Sequence, residues 1–521
     1  MVLALVIGVM SWRIIADVGL DYDEAVYGHL AKDFLLGREC QQHMPGSTSI
    51  EIGGRPFPVF VQGYLGAVKC WMLIPSFAVF GISIPVMRWT MFLGGLIAIL
   101  FLMLWTRRAL GFKAAILTGF LVGLDPAFLY PTVCEWGAFV PSFLCRCVGL
   151  FFCLEWWRRR KVWCMAVAGC SFGIGFFNKI DFLVILLALA VAVIVTRPRK
   201  LMEGIRSYWS HWLAGVCAFM LAAALMLVSL IRWIAALWEI QSNAGAEQFG
   251  KKVQILQAVL DGSYFLRLME SGGVFDQMFE SSPAIHSPFG AGLVLALIVV
   301  IIGCVRDALA GKTGWPLFFL AGGLASTVGF FLLPDALRIH HALLLYPFPQ
   351  LLIALAAINL WEARWSQAYF AWGARALLLL AIAGILGGHF LAYRRTQQFI
   401  RTTGGRGEWA TALIDFAKQS QLKRGTVFVS LDWGFHEQLS FLTDSAQRFE
   451  PTWNLQEGKS VSLLRDPRYC YLIHPPEFSV FNYGGKFLRE AEAMDSNLRV
   501  ATYTNREGRA VFQTFQFLPP P

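Results

Sequence analysis

The sequence predicts a polytopic α-helical membrane protein with about 11 transmembrane helices and a small C-terminal α/β domain. Of its 521 residues, 56% are hydrophobic and only 15% are charged, and the mean hydropathy is +0.55. A soluble protein of this length could not bury so much apolar surface, whereas a chain that crosses a bilayer repeatedly exposes it to lipid. Beyond residue 395 the long apolar runs end and the charge density rises, which indicates a separate domain over residues 395–521.

A helix needs about 20 mostly apolar residues to cross a membrane, and eleven segments come near that length and composition. They are residues 2–16, 86–106, 114–132, 138–157, 162–178, 181–196, 212–234, 289–306, 314–333, 340–360 and 371–393. No small-residue cleavage site follows residues 2–16, so we expect an anchor helix there and not a cleaved signal peptide. The first domain is therefore expected to cover residues 1–394.

Basic residues after the even-numbered spans predict the orientation. These are Arg107, Arg108, Lys113, Arg158, Arg159, Arg160, Lys161, Arg197, Arg199, Lys200, Arg306, Lys312 and Arg364. The positive-inside rule places them in the cytoplasm together with the N-terminus. The sequence thus predicts a multi-pass protein of the inner (plasma) membrane whose first loop, residues 17–85, and C-terminal domain are extracytoplasmic. These basic loops also explain the net charge of +10 without a nucleic-acid partner.

Outside the spans, composition predicts several shorter elements. Residues 63–81 contain Lys69 and Pro75 and are expected to form an amphipathic helix along the membrane surface. In the tail, Gly404 and Gly405 mark a hinge. Beyond the hinge, the apolar patterns predict helices at 408–420 and 436–443, strands at 426–431 and 469–473, and a hairpin of 498–504 with 509–517. The eleven cysteines show no metal-ligand spacing and no disulfide framework, although a bridge between Cys40 and Cys470, which lie outside the spans, stays open.

An acidic cluster, Asp21-Tyr22-Asp23-Glu24, follows the first span. Asp21 or Asp23 could cap the helix that the following pattern predicts, because negative charge is favourable at a helix N-terminus. One cap does not explain three carboxylates beside the membrane. A partly desolvated carboxylate also has a raised proton affinity and can act as a general base.

Further polar residues are predicted to lie on the same face. Glu135, in a short outer loop, is either a solvated loop residue or a second acid that orients an acceptor or binds a divalent metal with Asp23. The cations Lys179, Arg338 and Arg55, together with His340, suit a phosphate or pyrophosphate group, although pairing with acids or snorkelling would also explain them. His341 follows His340, and adjacent histidines on a helix do not predict a two-histidine metal site.

The order of these features resembles a known family. DYDEAVYG in the first loop is followed by PFPVFVQGYLGAVKCWMLIPSFAVFG and then by Arg88 before the next span. With Glu135 and Phe177-Asn178-Lys179, this order is similar to that of GT-C fold membrane glycosyltransferases, in particular the bacterial protein-mannosyltransferase and aminoarabinose-transferase-like group (glycosyltransferase families 39 and 83). The resemblance covers residues 1–200, and beyond them it depends on topology and the RIHH turn. At Arg55-Pro56 some relatives have Lys-Pro or His-Pro.

The resemblance implies transfer of a sugar from a polyprenyl-phosphate carrier to an extracytoplasmic protein, lipid or glycan acceptor. By match, Asp23 is the base, Glu24 its neighbour and Glu135 a second acid, with a divalent cation as a possible cofactor. Lys179, Arg338, Arg55 and His340 would hold the donor phosphate.

Three other classes of protein stay open from the residues alone. A transporter would place charges within its spans and show repeated halves, and neither is evident here. A polysaccharide ligase or polymerase would also use lipid-linked substrates but lacks the acidic first loop. The third class is a non-catalytic membrane scaffold or receptor.

Overall fold

A computed structural model describes most of the chain. The described residues are 2–38, 46–134, 137–242, 246–280, 287–310, 314–333, 337–363, 368–420, 425–443, 448–450, 467–481, 483–493 and 498–518. Within them, helices dominate residues 2–403 and a mixed sheet organises the remainder. The structure therefore confirms a polytopic α-helical membrane protein with a small C-terminal sheet domain.

The helices of the first part are numbered in chain order. They are α1 Val2–Asp17, α2 Tyr22–Leu36, α3 Val68–Phe80, α4 Ile84–Leu110, α5 Phe112–Gly123, α6 Pro126–Val133, α7 Phe139–Arg159, α8 Val162–Asn178, α9 Phe182–Thr196, α10 Pro198–Ser207, α11 Trp209–Ser242, α12 Ala246–Leu260, α13 Tyr264–Glu270, α14 Phe289–Leu309, α15 Trp315–Leu332, α16 Ile339–Ala342, α17 Phe348–Glu362 and α18 Ala368–Thr403. Short 3-10 turns lie at Phe275–Phe279, Leu343–Leu345 and Gly407–Trp409.

Seven helical segments of the described chain are long and apolar enough to cross a membrane, or up to nine if each of two bent pairs is one span. The seven are Ile84–Leu110, Phe139–Arg159, Trp209–Ile231, Phe289–Leu309, Trp315–Leu332, Ile339–Glu362 and Ala371–Thr403. In the bent pairs, α5 meets α6 at 64° and α9 meets α10 at 103°. The predicted number of 11 is not confirmed, because the apolar parts of α1 and α8 are shorter than a full span.

Glycines allow the membrane helices to pack closely. A Cβ on Gly169 of α8 would lie 2.0 Å from the carbonyl oxygen of Gly215 on α11, and one on Gly173 would lie 2.6 Å from the carbonyl oxygen of Phe219. Without side chains at these positions the two backbones meet directly, as small residues permit in helix pairs that lack a hydrophobic driving force. Helix α8 is fixed in this way, and its C-terminal end carries Lys179 into the site described below.

The first loop folds into α2, a three-stranded antiparallel sheet and α3. The strands are β1 Thr48–Ile52, β2 Arg55–Gln62 and β3 Leu65–Gly66, in the order β1-β2-β3. The sequence predicts one helix over residues 63–81, but the helix begins at Val68, because residues 65–66 pair with β2. The sheet itself is not predicted from the sequence.

The C-terminal domain is a five-stranded mixed sheet with helices. Its elements are α19 Ala412–Ser420, β4 Val427–Ser430, α20 His436–Leu442, β5 Arg448–Glu450, β6 Tyr469–Ile473, α21 Tyr483–Ala493, β7 Leu498–Thr504 and β8 Ala510–Phe517. The strand order is β5-β4-β6-β8-β7, with parallel pairs at β4 and antiparallel pairs at β8. The predicted strands and terminal hairpin are confirmed, but β5 and α21 are not predicted from the sequence.

The junction between the two parts differs slightly from the prediction. Helix α18 continues past residue 394 to Thr403, and the glycine hinge follows, with φ +71° at Gly404 and +88° at Gly405. The predicted helix at 408–420 divides into a 3-10 turn and α19. Of the two cysteines predicted outside the spans, Cys470 is a buried free thiol, and Cys40 lies outside the described residues.

The C-terminal domain packs on the first loop. The N–H of Gly19 donates to the carbonyl of Trp409 over 3.2 Å, and the Trp409 side chain is buried in the main hydrophobic core. Phe441 of α20 belongs to the same core and contacts Gly28 of α2. The acidic cluster at the start of α2 therefore lies between the membrane helices and the C-terminal domain.

Candidate active site

The acidic cluster forms the N-terminal cap of α2. The Asp21 carboxylate accepts a hydrogen bond from the N–H of Asp23 over 2.9 Å, and the Glu24 carboxylate accepts one from the N–H of Asp21 over 3.3 Å. This reciprocal arrangement is a capping box, which satisfies N–H groups that the first turn leaves unpaired. Asp21 is therefore the cap, as one of the two residues that the sequence offers for that role.

Besides completing the capping box, Glu24 holds Arg88 of α4. Arg88 donates from Nε to Oε1 over 2.9 Å and from Nη2 to Oε2 over 2.7 Å. Both side chains are fully buried. The same guanidinium donates to the carbonyls of Ile14, Ile15, Val18 and Gly19 at the end of α1. A bidentate pair of this kind has a fixed geometry, so Glu24 joins α2 to α1 and α4, and it does not line the cavity beside Asp23.

Asp23 lines a cavity of about 430 Å³. The cavity is lined by Asp21, Tyr22, Asp23, Val26, Tyr27, Val61, Gln62, Tyr64, Leu65, Gly137, Lys179, Arg338, His340, His341, Glu408 and Trp433. The Asp23 carboxylate accepts a hydrogen bond from the backbone N–H of Gly137, just before α7. Residues from the first loop, three later turns and the C-terminal domain thus meet in one space, on the side that the sequence predicts to be extracytoplasmic.

Lys179 enters the cavity from the turn between α8 and α9. Its Nζ lies 3.1 Å from Oδ2 of Asp181, and Nδ1 of His341 lies 3.3 Å from the same oxygen. The turn is held by β3, because Leu65 forms an antiparallel bridge with Lys179 and the N–H of Ile180 donates to the carbonyl of Tyr64. The ammonium group is therefore buried, partly neutralised and fixed in place.

Arg338, His340 and His341 enter from the start of α16. The Nε2 atoms of the two histidines are 3.0 Å apart, and their ring centroids are 4.2 Å apart. The sequence does not predict a two-histidine metal site, and in the structure α16 is a single turn in which the two rings contact each other. Within the described residues no group of three or more His, Cys, Asp or Glu side chains could hold a metal ion.

The C-terminal domain contributes two side chains to the wall of the cavity. Trp433 contacts Tyr22 with ring centroids 4.1 Å apart. Glu408, on the turn after the glycine hinge, lies beside Gly273 and Gly434, where a Cβ would come within 2.2 Å and 3.0 Å of its side-chain atoms. The sequence gives no signal for Glu408 beyond its being an acid near a hinge, and it is not among the predicted site residues.

Burial changes the acidity of the cavity carboxylates. Desolvation raises the pKa of Asp23, and the nearby cations Lys69, Lys179 and Arg338 oppose this rise. Desolvation and the charges of Glu408, Asp23 and Glu24 raise the pKa of Asp21 well above its ordinary value. Desolvation also raises the pKa of Glu408 to about 7, with Arg338 opposing and Asp23 and Asp432 adding to the rise. Carboxylates with raised pKa values can exchange protons near neutral pH.

Among the predicted site residues that the structure describes, Glu24 and Arg55 do not line the cavity. Arg55 lies at the exposed turn between β1 and β2, where it donates to the carbonyl of Leu35 over 2.8 Å, and it does not line the cavity. It lies there because the pairing of β1 with β2, which the sequence does not reveal, places it at this turn. Glu135 lies outside the described residues, so its role and that of a metal with Asp23 stay predictions.

The architecture defines the chain as a multi-pass membrane protein with the fold of the GT-C membrane glycosyltransferases. Its structure is similar to that of ArnT from Cupriavidus metallidurans bound to undecaprenyl phosphate, with a TM-score of 0.59 and 15% identity over 98% of this chain and 97% of that one. It is also similar to the archaeal oligosaccharyltransferase AglB from Archaeoglobus fulgidus, in complex with an inhibitory peptide and a dolichol-phosphate, with a TM-score of 0.53 and 12% identity over 96% and 69% of the two chains. No protein-family model and no curated protein sequence matches the chain.

Proposed function

We propose that this protein is an integral membrane glycosyltransferase that moves a sugar from a polyprenyl-phosphate donor to an extracytoplasmic acceptor. The observation that carries the proposal is the cavity, in which Asp23 lies together with Lys179 and Arg338. One carboxylate with a raised pKa and two cations are the groups that such a transfer requires. The similar ArnT and AglB structures contain undecaprenyl phosphate and a dolichol-phosphate, which supports a lipid phosphate as the donor carrier.

The reaction needs a base on one side of the sugar and an anion site on the other. Asp23 takes the proton from the acceptor hydroxyl or amine as the acceptor atom bonds to the anomeric carbon. The bond between that carbon and the phosphate oxygen breaks, and its electron pair stays on the phosphate. Lys179 and Arg338 stabilise the negative charge that develops there. His340 lines the same space and is proposed to contact the phosphate as well.

The remaining predicted residues take different positions in this proposal. Glu24 is a positioning residue that fixes the first turn of α2 through Arg88, and so it orients Asp23. Glu135 is proposed as a second acid near the acceptor or a divalent cation, since Gly137, two residues later, donates to Asp23. We also propose that the cavity opens to the extracytoplasmic side of the inner membrane, as the positive-inside rule predicts.

The test is the replacement of Asp23 by asparagine, which keeps the shape of the side chain and removes the base. Membranes containing the wild type or Asp23→Asn are supplied with labelled sugars linked to undecaprenyl phosphate, and transfer to endogenous acceptors is measured. We expect a loss of about 10²–10⁴-fold, the usual contribution of a general base. Asp33→Asn is the matched control, because Asp33 is on the same helix but does not line the cavity.

Two results would contradict the proposal at different levels. Unchanged transfer by Asp23→Asn, at equal expression, would remove Asp23 from the chemistry. Absence of lipid-dependent transfer by the wild type, with movement of the labelled lipid across the membrane instead, would favour a transporter.

A further inference from the structure

Glu408 is a cavity carboxylate that the proposed transfer does not use. Among the described residues no group hydrogen-bonds its Oε2, and that oxygen is buried from solvent. The N–H of Glu408 donates to the carbonyl of Gly272 over 3.3 Å. A Cβ on Gly273 would lie 2.2 Å from Oε1, so only glycine leaves room for the carboxylate there. The side chain is held in a fixed slot with one unsatisfied oxygen, which is a costly arrangement unless a ligand completes it.

The charges in and beside the cavity limit how an anionic ligand can bind there. The carboxylates of Asp21, Asp23 and Glu408 line the space with the cations of Lys179 and Arg338. Lys69 and Asp181 adjoin it, so four acids stand against three cations. Lys179 is already paired with Asp181. A lipid phosphate would add one or two further negative charges to a poorly solvated site. Binding is therefore unfavourable unless one carboxylate becomes neutral.

We propose that Glu408 binds the lipid phosphate as a neutral carboxylic acid that donates its O–H to a phosphate oxygen, so that phosphate binding takes up a proton. This inference depends on the proposed function, since it assumes a lipid phosphate beside Lys179 and Arg338. A carboxylic acid is a hydrogen-bond donor, whereas a carboxylate can only accept. A buried acid kept neutral to donate to an anionic oxygen is a known use of an apolar site.

Glu408 is better placed for this role than the two aspartates. Arg338 is the main cation that stabilises the Glu408 carboxylate, which places Glu408 near the proposed phosphate-binding arginine. Asp21 is committed to the helix cap, because its carboxylate accepts the hydrogen bond from the N–H of Asp23. Asp23 accepts from Gly137 and must be ionised to act as the base.

The surroundings keep the proton on Glu408 near neutral pH. Its pKa is about 7 without a ligand, because burial and the charges of Asp23 and Asp432 outweigh Arg338. Asp432 is held as an acceptor by the N–H groups of Trp433, Val480 and Phe481. The other titratable or charged groups that line the cavity or adjoin it are Asp21, Tyr22, Tyr27, Tyr64, Lys69, Lys179, Asp181, His340 and His341.

The test measures proton uptake when undecaprenyl phosphate binds the full-length protein in detergent. Calorimetric titrations at pH 8, in two buffers of different ionisation enthalpy, give the number of protons exchanged. The second pKa of a phosphate monoester is about 6, so at pH 8 the phosphate itself takes up few protons. We expect the wild type to take up about one proton and Glu408→Gln to take up about none. Glu490→Gln, which removes a carboxylate of α21 that forms an ion pair with Lys486 outside the cavity, should behave as the wild type.

The affinity for undecaprenyl phosphate should also depend on the protonation of Glu408. With an unliganded pKa of about 7 for Glu408, the affinity of the wild type for undecaprenyl phosphate should fall about fivefold from pH 7 to pH 8. The affinity of Glu408→Gln should not share this fall, because its amide donates at every pH. Equal proton uptake by the wild type and Glu408→Gln would overturn the inference and leave the proposed function standing. Failure of the wild type to bind undecaprenyl phosphate would count against the proposed donor itself.

Discussion

His29 of α2 and Glu437 of α20 form a buried ion pair that joins the proposed catalytic helix to the C-terminal domain. Nδ1 of His29 lies 2.9 Å from Oε2 of Glu437, and both side chains are almost completely buried. One turn further along α2, Lys32 donates to the carbonyls of Ser440, Phe441 and Thr443 at the end of α20. A cation is favourable at a helix C-terminus, so the two contacts hold the domain on the helix that carries Asp23.

We predict that Glu437→Gln destabilises the protein most at mildly acidic pH. Glu437 raises the pKa of His29, although burial opposes it. The contribution of this pair is therefore complete below the unfolded pKa of about 6.5 and is lost as pH rises through the higher folded value. Breaking one partner of a buried pair costs about 3–5 kcal/mol. In thermal unfolding in detergent, the variant should be less stable than the wild type at pH 6, and this difference in stability should narrow at pH 9. A difference that is the same at both pH values would show that the pair is not charged.

We further predict that Glu24→Gln destabilises the protein much more than the loss of an exposed acid. Glu24 satisfies the buried guanidinium of Arg88, and leaving that charge unpaired costs about 3–5 kcal/mol. Glu362 pairs with Lys113 across 3.7 Å at the surface, where such pairs contribute about 0–1 kcal/mol. Glu362→Gln is therefore the control in denaturant or thermal unfolding. If Glu24→Gln unfolded like Glu362→Gln but lost transfer, Glu24 would act in the chemistry and not in positioning.

The sequence reveals the residues of the site better than their arrangement. Asp23, Lys179, Arg338 and His340 are predicted from charge and topology, because acids and cations at membrane depth are costly and the positive-inside rule sorts them by side. They do meet in one cavity. Arg55 is predicted with them but lies apart, since its place depends on the register of β1 with β2.

Contacts between distant parts of the chain are the information that one sequence lacks. Glu408 reaches the cavity only because the glycine hinge and the docking of Trp409 bring its turn against Gly272. The three-stranded sheet of the first loop is missed for a similar reason. Its strand β2 contains two prolines, which argue against a strand from composition alone.

We predict that Gly66→Ala weakens the binding of undecaprenyl phosphate through the position of Lys179. A Cβ on Gly66 would lie 2.3 Å from the carbonyl oxygen of Phe177, so β3 would have to separate from the turn that presents Lys179. Gly250→Ala is the control, because a Cβ there meets nothing within 4 Å. Calorimetric titration with undecaprenyl phosphate should show weaker binding for Gly66→Ala and wild-type affinity for Gly250→Ala. The proton uptake per bound lipid should be unchanged in both variants. Wild-type affinity in Gly66→Ala would mean that the Lys179 turn does not depend on β3.

Lys179 and Arg55, which the sequence predicts to act together, should contribute differently to the binding of undecaprenyl phosphate. Lys179 is buried in the cavity beside Asp181, whereas Arg55 is exposed and hydrogen-bonds Leu35. A charge-assisted hydrogen bond contributes about 1.5–3 kcal/mol, so Lys179→Met should weaken the binding of undecaprenyl phosphate by about 10–100-fold. Arg55→Met, which removes the same charge outside the cavity, should change the affinity by less than about twofold.

One further variant separates loss of the lysine from exposure of Asp181. Lys179→Met leaves the Asp181 carboxylate without its lysine, and that negative charge alone would repel a phosphate. Lys179→Met combined with Asp181→Asn removes one positive and one negative charge, so the local net charge stays the same. If the lysine contacts the phosphate, the double variant stays weak in titration, because no donor replaces Nζ. Recovery of wild-type affinity in the double variant would show that Lys179 only neutralises Asp181, and Arg338 would then be the cation left to hold the phosphate.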